Sequence, residues 1–385
     1  MTKAGRADVV VIGGGVIGLS VAWRAAIEGH SVALCDPAPA QGASWAAAGL
    51  LAASTEARWG EEALHQLSEA SAARWPAFAA ALEDDSGVDV GLRQDGTLSV
   101  AFDADDGRAL MEAVDVQRQM GCQVEVLTSR ECRQMEPSLN PRVVAGALHP
   151  ADHQVDNRAL LRALTEAVRR RGVNVWPSAV RQVQAGEAGV TGVVLDDSSV
   201  LAAGQMVLAA GCRSGDIGGL APADIPPVRP VKGQILRLRT SPDRPLVART
   251  VRALVQGRDV YIVPRANGEV VVGGTVEEAG YDTTVTAGAV FDLLRASVAV
   301  VPDIAELELA EAIARLRPGS PDNGPLLGPA TTAGLMVATG HFRHGILLTP
   351  ATVDAIGEAL AGRDVAGPAA AFSPQRFVLD EPAYG

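Results

Sequence analysis

The chain has 385 residues, 48% of them hydrophobic and 20% charged, with a formal net charge of -12. That length suits two domains of roughly 100–200 residues each, with a core large enough to fold without disulfide or metal staples. The acidic balance argues against nucleic acid or an anionic membrane as a partner. Positive charge is almost all arginine, since Lys3 and Lys232 are the only lysines. Cys35, Cys122, Cys132 and Cys212 form no Cys-x-x-Cys or zinc-like spacing, so free thiols in a reducing compartment are expected. Met1 to Asp8 shows no signal-peptide pattern, and no run of about 18 apolar residues occurs. The expectation is a soluble cytoplasmic enzyme with no membrane span.

Asp8 to Ile12 reads as a short buried strand without alternation, as in a parallel sheet covered on both faces. Gly13-Gly14-Gly15-Val16-Ile17-Gly18 follows at once, a G-x-G-x-x-G with Gly13, Gly15 and Gly18 in register. A helix is predicted from there to about Glu28, closed by Gly29, and then a second strand over Ser31 to Cys35 ending at Asp36. Each part has a task in holding a dinucleotide. Gly13 allows the tight turn, Gly15 lets the backbone approach a pyrophosphate, and Gly18 lets helix and strand pack closely. The helix N-terminus stabilises negative charge, and Asp36 is placed to accept hydrogen bonds from the adenosine ribose. An acid there argues against NADP, but the unit does not separate FAD from NAD.

Small residues dominate Ala43-Ser44-Trp45-Ala46-Ala47-Ala48-Gly49-Leu50-Leu51, where the backbone can lie close to a flat ligand. Residues 61–82 read as one helix. A further helix spans 155–172, with Asp156 as its N-cap. Extended pieces follow at 173–176 and 180–183. Val207 to Gly211 and Leu335 to Gly340 are two more buried strands that end in glycine, which suggests one parallel sheet gathered from distant segments. Residues 91–102 and 229–274 alternate as in a second, mainly antiparallel sheet. Thr349-Pro350 is expected to open a helix with threonine as N-cap, with Gly362 at its end. The segment from Gly367 is Pro- and Ala-rich and reads as loop.

Several stretches together resemble the glycine oxidase branch of the D-amino-acid oxidase family over nearly the whole chain. They are the N-terminal Val-Val-Val-Ile-Gly-Gly-Gly-Val-Ile-Gly, Ala46 to Gly49, Pro230 to Gln234, Tyr261 to Arg265 and Val271 to Thr275. The most specific are Leu316-Arg317-Pro318-Gly319-Ser320 with Gly324-Pro325, and Gly340 to Leu348. The resemblance implies FAD rather than NAD, and an α/β fold, α+β overall. A Rossmann-like FAD-binding domain (1–85, 145–225 and 318–366) would be interleaved with a mainly antiparallel substrate domain (86–144 and 226–317), followed by a tail at 367–385. It also implies a reaction: glycine, oxygen and water give glyoxylate, ammonia and hydrogen peroxide, feeding thiazole synthesis for thiamine. A homotetramer is expected on the same ground.

The resemblance assigns residues as well. FAD would contact Gly13, Gly15, Val16, Ile17, Gly18, Asp36 and Pro37, then Ala43, Ser44, Ala48, Gly49 and Leu50, then Val180 and Gly211. At the flavin end it would contact His341, Phe342, Arg343, His344, Gly345, Ile346 and Leu347. Arg317, before the turn-forming Pro318-Gly319, would hold the substrate carboxylate, for which a guanidinium fork is well shaped. Tyr261 would support that carboxylate, and Arg343 would either approach the substrate or pair with an acid and shape the pocket. No metal site is expected, because His341 and His344 lack a third ligand. No residue stands out as a general base. Sarcosine oxidases attach flavin through a cysteine near the arginine motif, and residues 317–328 contain none, so FAD is expected to be non-covalent. Two positions depart from the family: Asp259 replaces a histidine two residues before the tyrosine, and Leu50 replaces a methionine. Both bear on substrate preference. Alternatives that stay open are oxidation of sarcosine or a small D-amino acid, a quinone-linked dehydrogenase, and a non-catalytic flavoprotein subunit.

Overall fold

The computed structural model describes residues 4–377; Lys3 and the part of the tail at 378–385 lie outside the described residues. Its first sheet has six strands in the order Leu326–Pro329, Leu335–Thr339, Gln205–Leu208, Val9–Ile12, Val32–Cys35, Asn174–Trp176. All neighbours run parallel except the first pair. The unalternating Val9–Ile12 run is explained by burial on both faces. Val9 and Val11 pack with the helices Val16–Ile27, Asn157–Arg170 and Thr349–Leu360. Val10 and Ile12 face Val183, Val193 and Leu201 of a four-stranded sheet that covers the other side. The glycine-ending strands do assemble side by side, as expected.

The second sheet has eight strands in the order Glu308–Gly319, Arg229–Arg239, Glu269–Gly273, Arg258–Pro264, Thr250–Val255, Thr97–Ala101, Ala145–His149, Glu125–Thr128. It is antiparallel except where Thr250–Val255 meets Thr97–Ala101. Helix Ala287–Val300 buries Leu293, Ala296 and Val300 on one face of it. The other face presents Ile235, Val263, Val271 and Ile313 to Ala46 and Ala48, so this sheet roofs the small-residue stretch.

Some local expectations change. Residues 61–82 are two helices, Glu62–Ala72 and Trp75–Ser86. Pro76 has no N–H for the Ala72 carbonyl and its ring would clash there, which breaks the run. Asp156 caps its helix as expected, accepting from the N–H groups of Arg158 (2.9 Å) and Ala159 (3.0 Å). Thr349 is not a cap: it is the first residue of its helix, and its hydroxyl donates to the Gly345 carbonyl (2.9 Å). The chain arrives there from the 3-10 turn Phe342–His344 with Leu348 already helical, so no extended residue is left for a cap. Arg317 lies in the long strand Glu308–Gly319 opposite Val231, not in a turn, because pairing continues through Gly319. Pro318 is tolerated because this strand is at the sheet edge. Ala145–His149 belongs to the eight-stranded sheet, where it pairs with Thr97–Ala101 and Glu125–Thr128. No helix among the described residues is long and apolar enough to cross a membrane.

Candidate active site

A cavity of about 660 Å3 runs from the glycine turn, past the small-residue stretch, to the underside of the eight-stranded sheet. At its first end the helix Val16–Ile27 begins from Gly15. Gly13 has φ +106, and a Cβ there would lie 2.4 Å from the Ala209 carbonyl oxygen. The Ser44 hydroxyl accepts from the Val16 N–H (3.0 Å) and joins the small-residue stretch to the helix start. Asp36 accepts from the N–H groups of Gly14 (2.6 Å) and Ala38 (2.7 Å), so its carboxylate braces the glycine turn from within the cavity wall.

The middle of the cavity is held by two buried arginines. Arg265 donates to the Ala48 carbonyl and to Gln154 Oε1 (2.6 Å). Arg237 donates to the carbonyls of Trp45 and Ala47, both at 3.3 Å, while Glu269 neutralises it. Burial lowers the pKa of Arg265 to about 10. Gly49, at φ +70, passes so close to Val155 that a Cβ would lie 2.0 Å from its carbonyl oxygen. The backbone of 45–49 is thus fixed on one side and left bare on the other. Both arginines fall in the alternating stretch 229–274, where a charged residue reads as solvated, so nothing local in the sequence marks their role.

At the far end Arg317 and Tyr261 come together. Arg317 Nη1 donates to the carbonyl of Thr275 (2.9 Å) and reaches that of Lys232 (3.4 Å). Its guanidinium lies across Gly233, where a Cβ would be 2.4 Å away. The Tyr261 ring lies across Gly273, where a Cβ would be 2.3 Å from the hydroxyl. The glycines of Lys232-Gly233-Gln234 and Gly273-Gly274 therefore clear space for these two side chains. Burial raises the Tyr261 pKa above its ordinary value, against the pull of Arg317 and Arg252, so the phenol is a proton donor at neutral pH. Among the described residues, no carboxylate lies within ion-pairing distance of Arg317, although it lines the cavity.

Arg343 lines the cavity with acids beside it. It pairs with Glu56 (2.8 Å) and Glu61 (2.9 Å). Glu56 also pairs with Arg252 (2.5 Å). Burial pushes the Glu56 pKa up, but Arg252, Arg343 and His344 outweigh it and bring the value down to about 2. The loop carrying Glu56 is fixed by buried Asp152, which accepts from the N–H groups of Ser54 (2.7 Å) and Thr55 (2.8 Å). His341 bonds Thr352 through Nε2 (2.9 Å), and burial lowers its pKa to about 3; burial likewise lowers His344 to about 4. Both rings are neutral, and no metal-binding cluster exists among the described residues.

Of the residues expected at the cofactor, Gly13, Gly15, Val16, Ile17, Asp36, Pro37, Ala43, Ser44, Ala48, Gly49, Leu50, Val180, Gly211 and each of 341–347 line this cavity. Gly18 does not. It sits beneath the turn, where a Cβ would lie 1.9 Å from the Gly13 carbonyl oxygen. Leu50 lines the cavity as expected, whereas Asp259 is an exposed residue outside it. Glu56 and Arg252 had no signal in the sequence. The elongated shape, the helix start for phosphates and the bare 45–49 backbone for a flat ring fit an FAD along its length.

Comparison with known proteins agrees. The family model described as DAO, FAD dependent oxidoreductase, matches residues 8–359. Glycine oxidase of Geobacillus kaustophilus is 33% identical over 377 residues, covering 97% of this chain and 98% of that protein. Its crystal structure superposes with a TM-score of 0.88 over 97% of this chain and 99% of that one, at 32% identity. The bifunctional protein ThiO/ThiG of Trichormus variabilis is 32% identical over 356 residues; the match takes in 91% of this chain but only 52% of that longer relative. The chain belongs to the DAO family of FAD-dependent oxidoreductases.

Proposed function

We propose that the protein oxidises the amine of a small amino acid, glycine first, with sarcosine and small D-amino acids as lesser substrates. The observation that carries this reading is the uncompensated Arg317 beside a protonated Tyr261 at the flavin end of the cavity. Arg317 binds the substrate carboxylate as a fork, and the Tyr261 hydroxyl donates a further hydrogen bond to it. Anchored so, the substrate presents its Cα–H toward the floor formed by residues 45–50. FAD, held without a covalent bond by the Gly13–Val16 turn and the 45–49 backbone, would supply the hydride acceptor and the two-electron link to oxygen. Glycine, oxygen and water become glyoxylate, ammonia and hydrogen peroxide. Anionic Glu56 keeps Arg343 and Arg252 paired, so these cations shape the wall rather than compete for the carboxylate.

The same reading takes the six-stranded sheet with its covering layers as the FAD-binding unit and the eight-stranded sheet as the substrate unit. Self-association, a cytoplasmic location and supply to thiazole synthesis are part of it and are supported by the resemblance. The test is oxygen uptake and peroxide release by FAD-loaded protein with glycine, sarcosine, D-alanine and an amine lacking a carboxylate. Turnover with glycine and none with the carboxylate-free amine is expected. Equal turnover of both overturns the assignment of the carboxylate site.

A further inference from the structure

Between the strand Glu269–Gly273 and the helix Ala287–Val300, residues 275–286 leave the eight-stranded sheet and cross to the cofactor side. The base of this strap is fixed. Lys232 and Glu277 exchange backbone hydrogen bonds of 2.9 and 3.0 Å, and the Thr275 carbonyl accepts from Arg317. Lys232, one of two lysines in the chain, is 1% exposed and donates to Asp282 Oδ2 (2.9 Å). At the tip, the Tyr281 hydroxyl lies 3.1 Å from both the Cys212 carbonyl and the Asp216 carboxylate. The Arg213 guanidinium stacks 4.3 Å from the centre of its ring. Those partners belong to the 3-10 turn Gly211–Asp216, which lines the cavity, as Thr283 of the strap does.

We propose that residues 275–286 are a clasp that retains FAD, latched by Tyr281 on the Gly211–Asp216 turn. The inference rests on the assignment of the cavity to FAD. One continuous segment ties the arginine assigned to the substrate to the wall assigned to the cofactor, and its tip holds that wall against the substrate sheet. FAD leaves the long cavity when the wall and strap part. The two halves of the strap differ in strength, as a clasp requires. Its base uses a buried cation and backbone pairing, whereas its tip uses one hydroxyl and one ring stack at a side chain that is 43% exposed. Single contacts of the latter kind are weak and open readily.

The test uses FAD-loaded protein and two variants, Tyr281→Phe and Tyr281→Ala. FAD release is read as the rise of free-flavin fluorescence after dilution, and folding by circular dichroism. Losing hydrogen bond and stack together should speed release at least about tenfold in Tyr281→Ala, with Tyr281→Phe between it and the parent. Activity at saturating FAD should stay near the parent's, because Tyr281 lies outside the cavity lining. In the parent, limited proteolysis should cut 275–286 faster without FAD than with it. Release rates for both variants equal to the parent's overturn the proposal, as does cleavage of the strap at one rate with and without FAD. If Tyr281→Ala does not fold, Tyr281→Phe and the proteolysis comparison still decide. A parent that binds no flavin would refute the cofactor assignment instead, a separate result.

Discussion

Replacing Arg317 with alanine asks the most direct question of this site. Nη1 of Arg317 is committed to the carbonyls of Thr275 and Lys232, which fixes the plane of the guanidinium. Nη2 and the Tyr261 hydroxyl both lie over Gly274, so one carboxylate can take a hydrogen bond from each. Truncating one partner of a desolvated charge pair costs roughly 2–5 kcal/mol. The lower end applies to a half-buried arginine and corresponds to a loss of about thirtyfold in kcat/KM for glycine. Arg317→Lys should recover little, since it keeps the charge but loses the fork. Flavin content should stay near normal. The assay is oxygen uptake over a range of glycine concentrations, run beside the carboxylate-free amine. If the variant loses activity toward both compounds equally, Arg317 is a strut of the sheet and the substrate site lies elsewhere.

Three further outcomes follow from the same geometry. Asp36→Ala should weaken FAD binding about tenfold or more, at roughly 1.5–3 kcal/mol for hydrogen bonds to a charged group, and leave substrate preference alone; an unchanged dissociation constant would remove Asp36 from the cofactor site. Glu56 has its pKa lowered from 4.5 to about 2, so its pairing contributes about 3 kcal/mol, fully present above pH 4.5 and lost as pH falls through about 2. Glu56→Gln should therefore lower the urea midpoint at neutral pH and remove that part of the acid transition, and an acid profile identical to the parent's would count against the pairing. His341 and His344, with pKa values lowered from 6.5 to about 3 and 4, take up protons more readily in the unfolded chain. Their contribution is present above pH 6.5 and declines below it, so thermal midpoints should fall from pH 6.5 toward 4, and less steeply in His344→Gln; equal slopes would refute this.

The parts of the fold that were legible in the sequence are those whose cause is local. Gly13 and Gly18 follow a four-residue apolar strand because a turn at positive φ and a helix packed against the Gly13 carbonyl each exclude a Cβ within a few positions. Asp156 announces its helix in the same way. Local rules misled where a distant partner took over. Arg317 before Pro318-Gly319 reads as a turn, yet Arg229–Arg239, some eighty residues earlier, draws that segment into a ladder. Thr349-Pro350 reads as a helix cap, yet the preceding turn was already helical.

The site itself divides along the same line. Its glycines, Arg317 and Tyr261 could be found because neighbours in sequence carry them as short patterns. Its charge balance could not. Glu56 sits in a loop with no periodicity, and its partners Arg252 and Arg343 are 196 and 287 positions away, from different layers of the structure. Yet this balance separates Arg252 and Arg343, which have acid partners, from Arg317, which has none among the described residues. Of the three arginines at the flavin end, two are neutralised by Glu56 and Glu61, and the third, Arg317, has only carbonyls and a phenol around it. An anion beside Tyr261 thus meets Arg317 without a paired acid, over glycines that leave room for a small ligand, while Arg315, which also lines the cavity, is held by the carbonyls of Gln41 and Ala314. On the proposed reading, selection for a compact carboxylate is therefore set as much by the acids that pair Arg252 and Arg343 as by Arg317 itself.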